Sequence, residues 1–159
     1  MLSVKLIAPG TLKEPYLRDA YGEYKKRLSA LCAFEETILK EVPLPQSPSD
    51  AQIAASLEKE AKAILESIPP RFFKVALCVE GERLSSESLA EKIESVGRNY
   101  PGICFIIGSS YGLAPSVKKA CDMQLSVSDF TFPHQLMRVI LAEIIYRSLN
   151  IIKGTRYHK

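Results

Sequence analysis

An imidazole, a phenol and two guanidinium groups crowd the C-terminal end of this chain: Arg147, then Arg156, Tyr157 and His158 before Lys159. An imidazole whose ordinary pKa lies close to neutral takes up and returns a proton at physiological pH. A guanidinium can hold an oxygen that gains negative charge, and a phenol ring can stack on a base or donate a hydrogen bond. A penultimate histidine on a polar tail fits a frayed terminus equally well. Residue types alone leave both readings open.

Two further stretches have the make-up of ligand loops. Val127, Ser128, Asp129, Phe130, Thr131 and Phe132 mix polar and apolar residues and break at Pro133-His134. Gly108-Ser109-Ser110-Tyr111-Gly112 follows an apolar run. Glycines there let backbone N–H groups approach a ligand, and small side chains leave it room. The same five residues also fit a plain tight turn. They match neither the dinucleotide nor the P-loop fingerprint. Phe130 and Phe132 fit core packing as well as ligand contact, and His134 is expected to brace the loop rather than to react.

These residues need elements to hold them. From Pro133 to about Ile152, Met137, Ile140, Leu141, Ile144, Ile145, Ser148 and Leu149 recur at the spacing of one helix face. Arg138 and the i, i+4 pair Glu143/Arg147 fall off that stripe. Pro133 suits a first helical turn and Gly154 a stop, leaving Thr155–Lys159 as an exposed tail.

Upstream, strands are expected at Leu2–Ala8, Phe34–Val42, Phe72–Val79, Ile103–Ile107 and Gln124–Ser128. Helices are expected at Pro15–Leu31, from a cap at Ser47 or Ser49 through Ile68, from Ser85 or Ser86 to Gly97, and at Pro115–Cys121. Ile53, Leu57, Ala61, Ile64 and Leu65 form the apolar stripe of the second helix, and Glu80-Gly81-Glu82 reads as a turn. Such alternation predicts a single α/β domain over residues 1–159, a mainly parallel sheet with helices on both faces. Ligands in such sheets bind beyond the carboxyl ends of strands, here after Val79, Ile107 and Ser128.

Composition narrows the class. The chain has 159 residues, nearly half of them hydrophobic and a quarter charged, as in ordinary soluble domains. Charges break every apolar run before the ~20 residues of a membrane span, and Met1–Lys5 lacks a signal-peptide n-region. Cys32, Cys78, Cys104 and Cys121 are scattered, without C-x-x-C pairing, which predicts reduced thiols of a cytoplasmic protein and no metal site. The net charge of +3 says little, but its distribution says more. No acid follows Glu143, whereas Arg147, Lys153, Arg156 and Lys159 do, and Lys25-Lys26-Arg27 forms a second basic cluster. Such patches suit RNA phosphates or plain helix ends.

The run S-V-S-D-F-T-F-P-H-Q-L-M-R-V-I-L-A-E-I-I-Y-R, closing on Y-H-K, resembles the C-terminal signature of the RlmH group of SPOUT methyltransferases. The likeness extends over the whole chain and is densest from Leu77 to Lys159. It implies a SPOUT-type fold with a C-terminal trefoil knot and a homodimer whose sites form at the subunit boundary. It also implies methylation of N3 of a pseudouridine in 23S ribosomal RNA of an assembled ribosome, with S-adenosylmethionine as donor. Leu77, Gly108 and Val127–Phe132 would then wrap the cofactor. Arg147, Tyr157 and His158 would hold and deprotonate the base.

The chain departs from the family pattern where Ser109 replaces a second glycine, where Arg156 replaces a proline, and where Ile144 replaces a polar residue. The first departure matters if position 109 needs positive φ. Two rival readings stand beside this one: a SPOUT enzyme acting on transfer RNA, and a non-catalytic flavodoxin-like domain whose loops hold a nucleotide.

Overall fold

Short apolar runs alternating with amphipathic stretches give five strands and five helices in a computed structural model that describes residues 1–159. In chain order they are β1 (Ser3–Pro9), α1 (Pro15–Ser29), β2 (Ala33–Leu39), α2 (Asp50–Ser67), β3 (Phe73–Arg83), α3 (Ser86–Asn99), β4 (Gly102–Ile106), α4 (Pro115–Ala120), β5 (Met123–Ser126) and α5 (His134–Lys153). The strands form one sheet in the order β2-β1-β4-β3-β5, with every neighbouring pair parallel.

Alternation along each strand divides the core in two. Val4, Leu6, Ile103, Phe105 and Val75 face α1, α3 and α5, while Ile7, Cys104, Ile106 and Ala76 face α2 and α4. Period-two side chains on strands covered on both sides require this division. Local chemistry starts the helices as expected. Ser49 accepts from the Gln52 amide and Gln52 returns a bond to the Ser49 amide, a complete capping box, and Ser85 caps α3. Gly154 ends α5 at φ 68°, in the left-handed region that favours glycine.

Four expectations need correction. β2 stops at Leu39 rather than Val42, because it is an edge strand and its partner β1 runs out at Pro9, opposite Leu39. Glu80-Gly81-Glu82 is no simple turn. β3 continues to Arg83 and bulges, so that Leu77 and Glu82 both pair with Leu125. Gly81 is required there, since a Cβ would lie 2.7 Å from the backbone of Gln124 and Leu125. The buried side of α2 is rotated from the expected stripe: Ser56 and Glu60 are buried with Ala61 and Ile64, and Leu65 is exposed.

Arg138 is the fourth. Though it falls off the apolar stripe, it is 2 % exposed, the largest fully buried side chain. Its Nη2 donates to the carbonyls of Pro9 at 2.9 Å and Gly10 at 2.8 Å, tying the first turns of α5 to the end of β1. Burial pushes its pKa down, with Tyr21 and Glu36 nearby opposing the shift. Charge alone did not put it in solvent, because two orphan strand-end carbonyls gave it partners. No helix is long and apolar enough to cross a membrane.

Candidate active site

The middle of β3, at Leu77–Glu80, and the carboxyl ends of β4 and β5 border one cavity of about 320 Å³, within the ~300–1,000 Å³ usual for small-molecule sites. Seven of the eight residues expected to hold a cofactor border it: Leu77, Gly108, Val127, Ser128, Phe130, Thr131 and Phe132. Asp129 does not. Its carboxylate turns outward to Arg83.

Backbone turns and apolar side chains together form the walls. The Ser126 hydroxyl donates to the Ser128 carbonyl at 3.2 Å, and the Ser128 hydroxyl accepts from the Phe130 amide at 3.0 Å. These local bonds fold the segment after β5 into a tight turn. Phe130 stays 79 % exposed at the rim. Opposite, a Cβ on Gly108 would collide with the carbonyl of Gly112, and Gly112 sits at φ 84°. Both glycines are therefore needed.

Ser109 is not strained. Arg71 is the one non-glycine residue with positive φ, and Ser109 closes the loop through an antiparallel bridge to Gly112. The loop accommodates serine where the family pattern has glycine. Beneath it lies Glu60, whose burial raises its pKa while the Ser109 hydroxyl opposes that shift. Lys118 on α4 pairs with Glu80 in the β3 bulge, bracing a third wall. His134 borders the cavity too, with Nε2 3.5 Å from Glu41 and no hydrogen-bond partner.

Arg147, Tyr157 and His158 come together, but elsewhere. None borders the cavity. Met137 does, and Arg147 lies ten residues further along the same helix, about 15 Å at ~1.5 Å per residue. The tail is docked rather than frayed. The Thr155 hydroxyl bonds Asn150 at 2.7 Å, and Tyr157 and His158 are half-buried.

Glu143 is the hub of the group. Its Oε1 accepts from Arg147 Nε at 3.0 Å and Nη2 at 2.6 Å, and from the Tyr157 hydroxyl at 3.0 Å. Those bonds raise the Arg147 pKa further. The guanidinium lies over the Tyr157 ring, 4.8 Å from its centroid, and Tyr146 packs edge-on against that ring. Burial, then the bond to Glu143, pushes the Tyr157 phenol up to about 12. Tyr157 is thus a neutral donor at physiological pH and no base. The last contact comes from α3: Glu87 Oε1 sits 2.8 Å from His158 Nε2.

Glu143, Glu87, Glu60 and Arg138 escaped the sequence reading. Glu143 carried a signal, its i−4 spacing from Arg147, which reads first as ordinary helix pairing. Glu87 carried none, being 71 positions from its partner.

Comparison with known proteins agrees with this architecture. A family model described as "Predicted SPOUT methyltransferase" matches residues 2–158. Proteins named ribosomal RNA large subunit methyltransferase H from Streptococcus thermophilus (strain CNRZ 1066) and Streptococcus pyogenes serotype M5 (strain Manfredo) are each 45 % identical over 159 residues. The match spans 99 % of this chain and 100 % of each relative. Among solved structures, the tRNA (m1G37) methyltransferase from Aquifex aeolicus aligns with TM-score 0.55 at 18 % identity, over 99 % of this chain and 73 % of its own. That likeness speaks for the fold alone. With its parallel sheet, strand-end cavity and full-length relatives, the chain belongs to the RlmH group of the SPOUT family of S-adenosylmethionine-dependent methyltransferases.

Proposed function

We propose that this protein methylates N3 of a pseudouridine in 23S ribosomal RNA of the large subunit, and works as a homodimer. The substrate reading rests on the resemblance and on full-length relatives named as large-subunit ribosomal RNA methyltransferases. One structural observation carries it: Glu143, on the same helix that borders the cavity, holds a cation and a phenol, and that cation in turn meets an imidazole.

The cavity residues fit S-adenosylmethionine. Gly108 borders the cavity, and the Gly112 backbone packs where its Cβ would be, so the loop closes tightly beside the space for a ligand. Leu77, Val127, Phe130 and Phe132 offer apolar walls for an adenine, with backbone amides and carbonyls to read its edge. When bound, the cofactor supplies an electrophilic methyl carried on a sulfonium. Among the side chains, Arg147 holds the uracil oxygen as it gains charge, Tyr157 orients the base, and His158 takes the N3 proton.

Cavity and tail cluster lie at different stations along α5, which supports a second copy completing the site. Met137, Ile140 and Ile144 remain only half-buried along that helix, the exposure expected of a seam awaiting a symmetric partner.

The test is transfer of labelled methyl from S-adenosylmethionine to purified ribosomes, with and without pseudouridine in their large-subunit RNA. Label confined to pseudouridylated ribosomes is expected. Label on transfer RNA instead, or on neither RNA, would overturn the substrate assignment.

A further inference from the structure

His158 is gripped by two elements at once, and the grip determines which nitrogen bears hydrogen. Arg147 Nη1 lies 3.1 Å from Nδ1. A guanidinium has no acceptor, so it donates and Nδ1 carries the lone pair. The hydrogen therefore sits on Nε2, which donates to Glu87 Oε1 at 2.8 Å. That bond lowers the pKa of Glu87. Arg147 is held in turn by Glu143 at 2.6 Å. The charged groups meeting the ring are thus Arg147 from α5 and Glu87 from α3, with neutral Tyr157 alongside. Both ring nitrogens are engaged, and the one able to accept a proton is covered by a cation.

We infer that Glu87 is a positioning residue that fixes the Nε2–H tautomer of His158, making Nδ1 the proton acceptor, and that Arg147 blocks this lone pair until a substrate oxygen draws the guanidinium away. The inference rests on the proposed base chemistry and deepens it. In the step that follows, the N3–H bond breaks, its electron pair stays on the ring nitrogen, and the proton bonds to Nδ1. The imidazolium so formed still donates from Nε2 to the Glu87 carboxylate, and this neutral–ion bond becomes an ion pair. Arg147 then serves twice: it binds the developing anion and uncovers the base only when that anion is present. Because the Glu87 side chain is 60 % exposed, solvent screens the pair, and its share of the rate is modest.

Two readouts test this on the full-length protein. The first is the imidazole 15N–1H correlation spectrum, with the His158 signals assigned by their loss in His158→Gln. Wild type should show one Nε2–H tautomer. Glu87→Ala should give a tautomer mixture, and Glu87→Gln, whose amide oxygen can still accept, should restore the single form. The second is methyl transfer to ribosomes. Glu87→Ala should lower kcat roughly two- to fivefold, the share of one exposed charge-assisted bond, with KM held within about 1.5-fold. Glu87→Gln should fall between. An Nδ1–H tautomer in wild type, or an Ala variant with unchanged tautomer and kcat, would overturn the inference. So would a shifted tautomer with unchanged kcat, since the orientation would then serve nothing. Failure of wild-type protein to methylate any ribosome overturns the function reading instead, and leaves the tautomer result to be judged by the spectrum.

Discussion

The cavity and the tail cluster are built from opposite materials. Around the cavity, the loop after β4 and the turn after β5 do much of the shaping, with two glycines and two serine-to-backbone hydrogen bonds setting its outline. At the tail, five side chains from two helices and the last residues are linked by charge-assisted bonds around Glu143 and His158. Rigid backbone suits a ligand that must be held the same way each time. Side chains with alternative partners suit a step in which a proton and a charge move. A change in one region should therefore leave the other intact, and this independence can be broken or sharpened by experiment.

The largest effect is expected from the tail. His158→Ala removes the proton acceptor and should lower methyl transfer by about 10²- to 10⁴-fold, with cofactor affinity unchanged by calorimetry. Equal loss of both would end the division of labour. The converse change is Gly108→Val. Its side chain must displace the Gly112 backbone, a strain of about 1–3 kcal/mol, so cofactor affinity should fall roughly ten- to a hundredfold. The tail cluster, read by the His158 tautomer, should be untouched.

Mixing the two inactive variants sharpens the comparison further. If the tail of one copy serves the cavity of the other, a reassorted mixture of Gly108→Val and His158→Ala subunits contains hybrid dimers with one intact site. Half the dimers are hybrids, so activity should return to about a quarter of wild type under twofold symmetry. No recovery would mean that each chain works with its own tail, against the ~15 Å helical separation.

The sequence made the two regions legible to different degrees, for a physical reason. Strand ends, glycines and the break at Pro133 are local signals, and local signals located the loops after β4 and β5, whereas the turn expected after Val79 is a bulge within β3. Contacts that join distant segments leave no such trace. Glu87 meets His158 only because α3 and the tail pack beside the same helix. The burial of Arg138 was not legible because helical periodicity registers a charge off the stripe but not the carbonyls of Pro9 and Gly10 that receive it. The rotated face of α2 has the same origin: Glu60 is drawn inward beneath the Ser109 loop, and an apolar stripe cannot show that.

The smallest expected effect concerns Ser109, where the family pattern has glycine. Were positive φ required, serine would strain the loop and Ser109→Gly would improve cofactor binding. The backbone here lies outside that region, so glycine relieves nothing. It removes instead a hydroxyl facing buried Glu60 and frees the unfolded chain, costing about 0.5–1 kcal/mol of stability. Thermal unfolding should register that loss, and cofactor affinity should change by less than about threefold, within ~0.6 kcal/mol. Because that hydroxyl opposes the rise in the Glu60 pKa, the variant should also push this carboxyl higher, a shift measurable by carboxyl 13C titration. A markedly tighter cofactor complex in Ser109→Gly would mean that the loop is held under strain after all, and that the cavity owes its shape to more than backbone geometry.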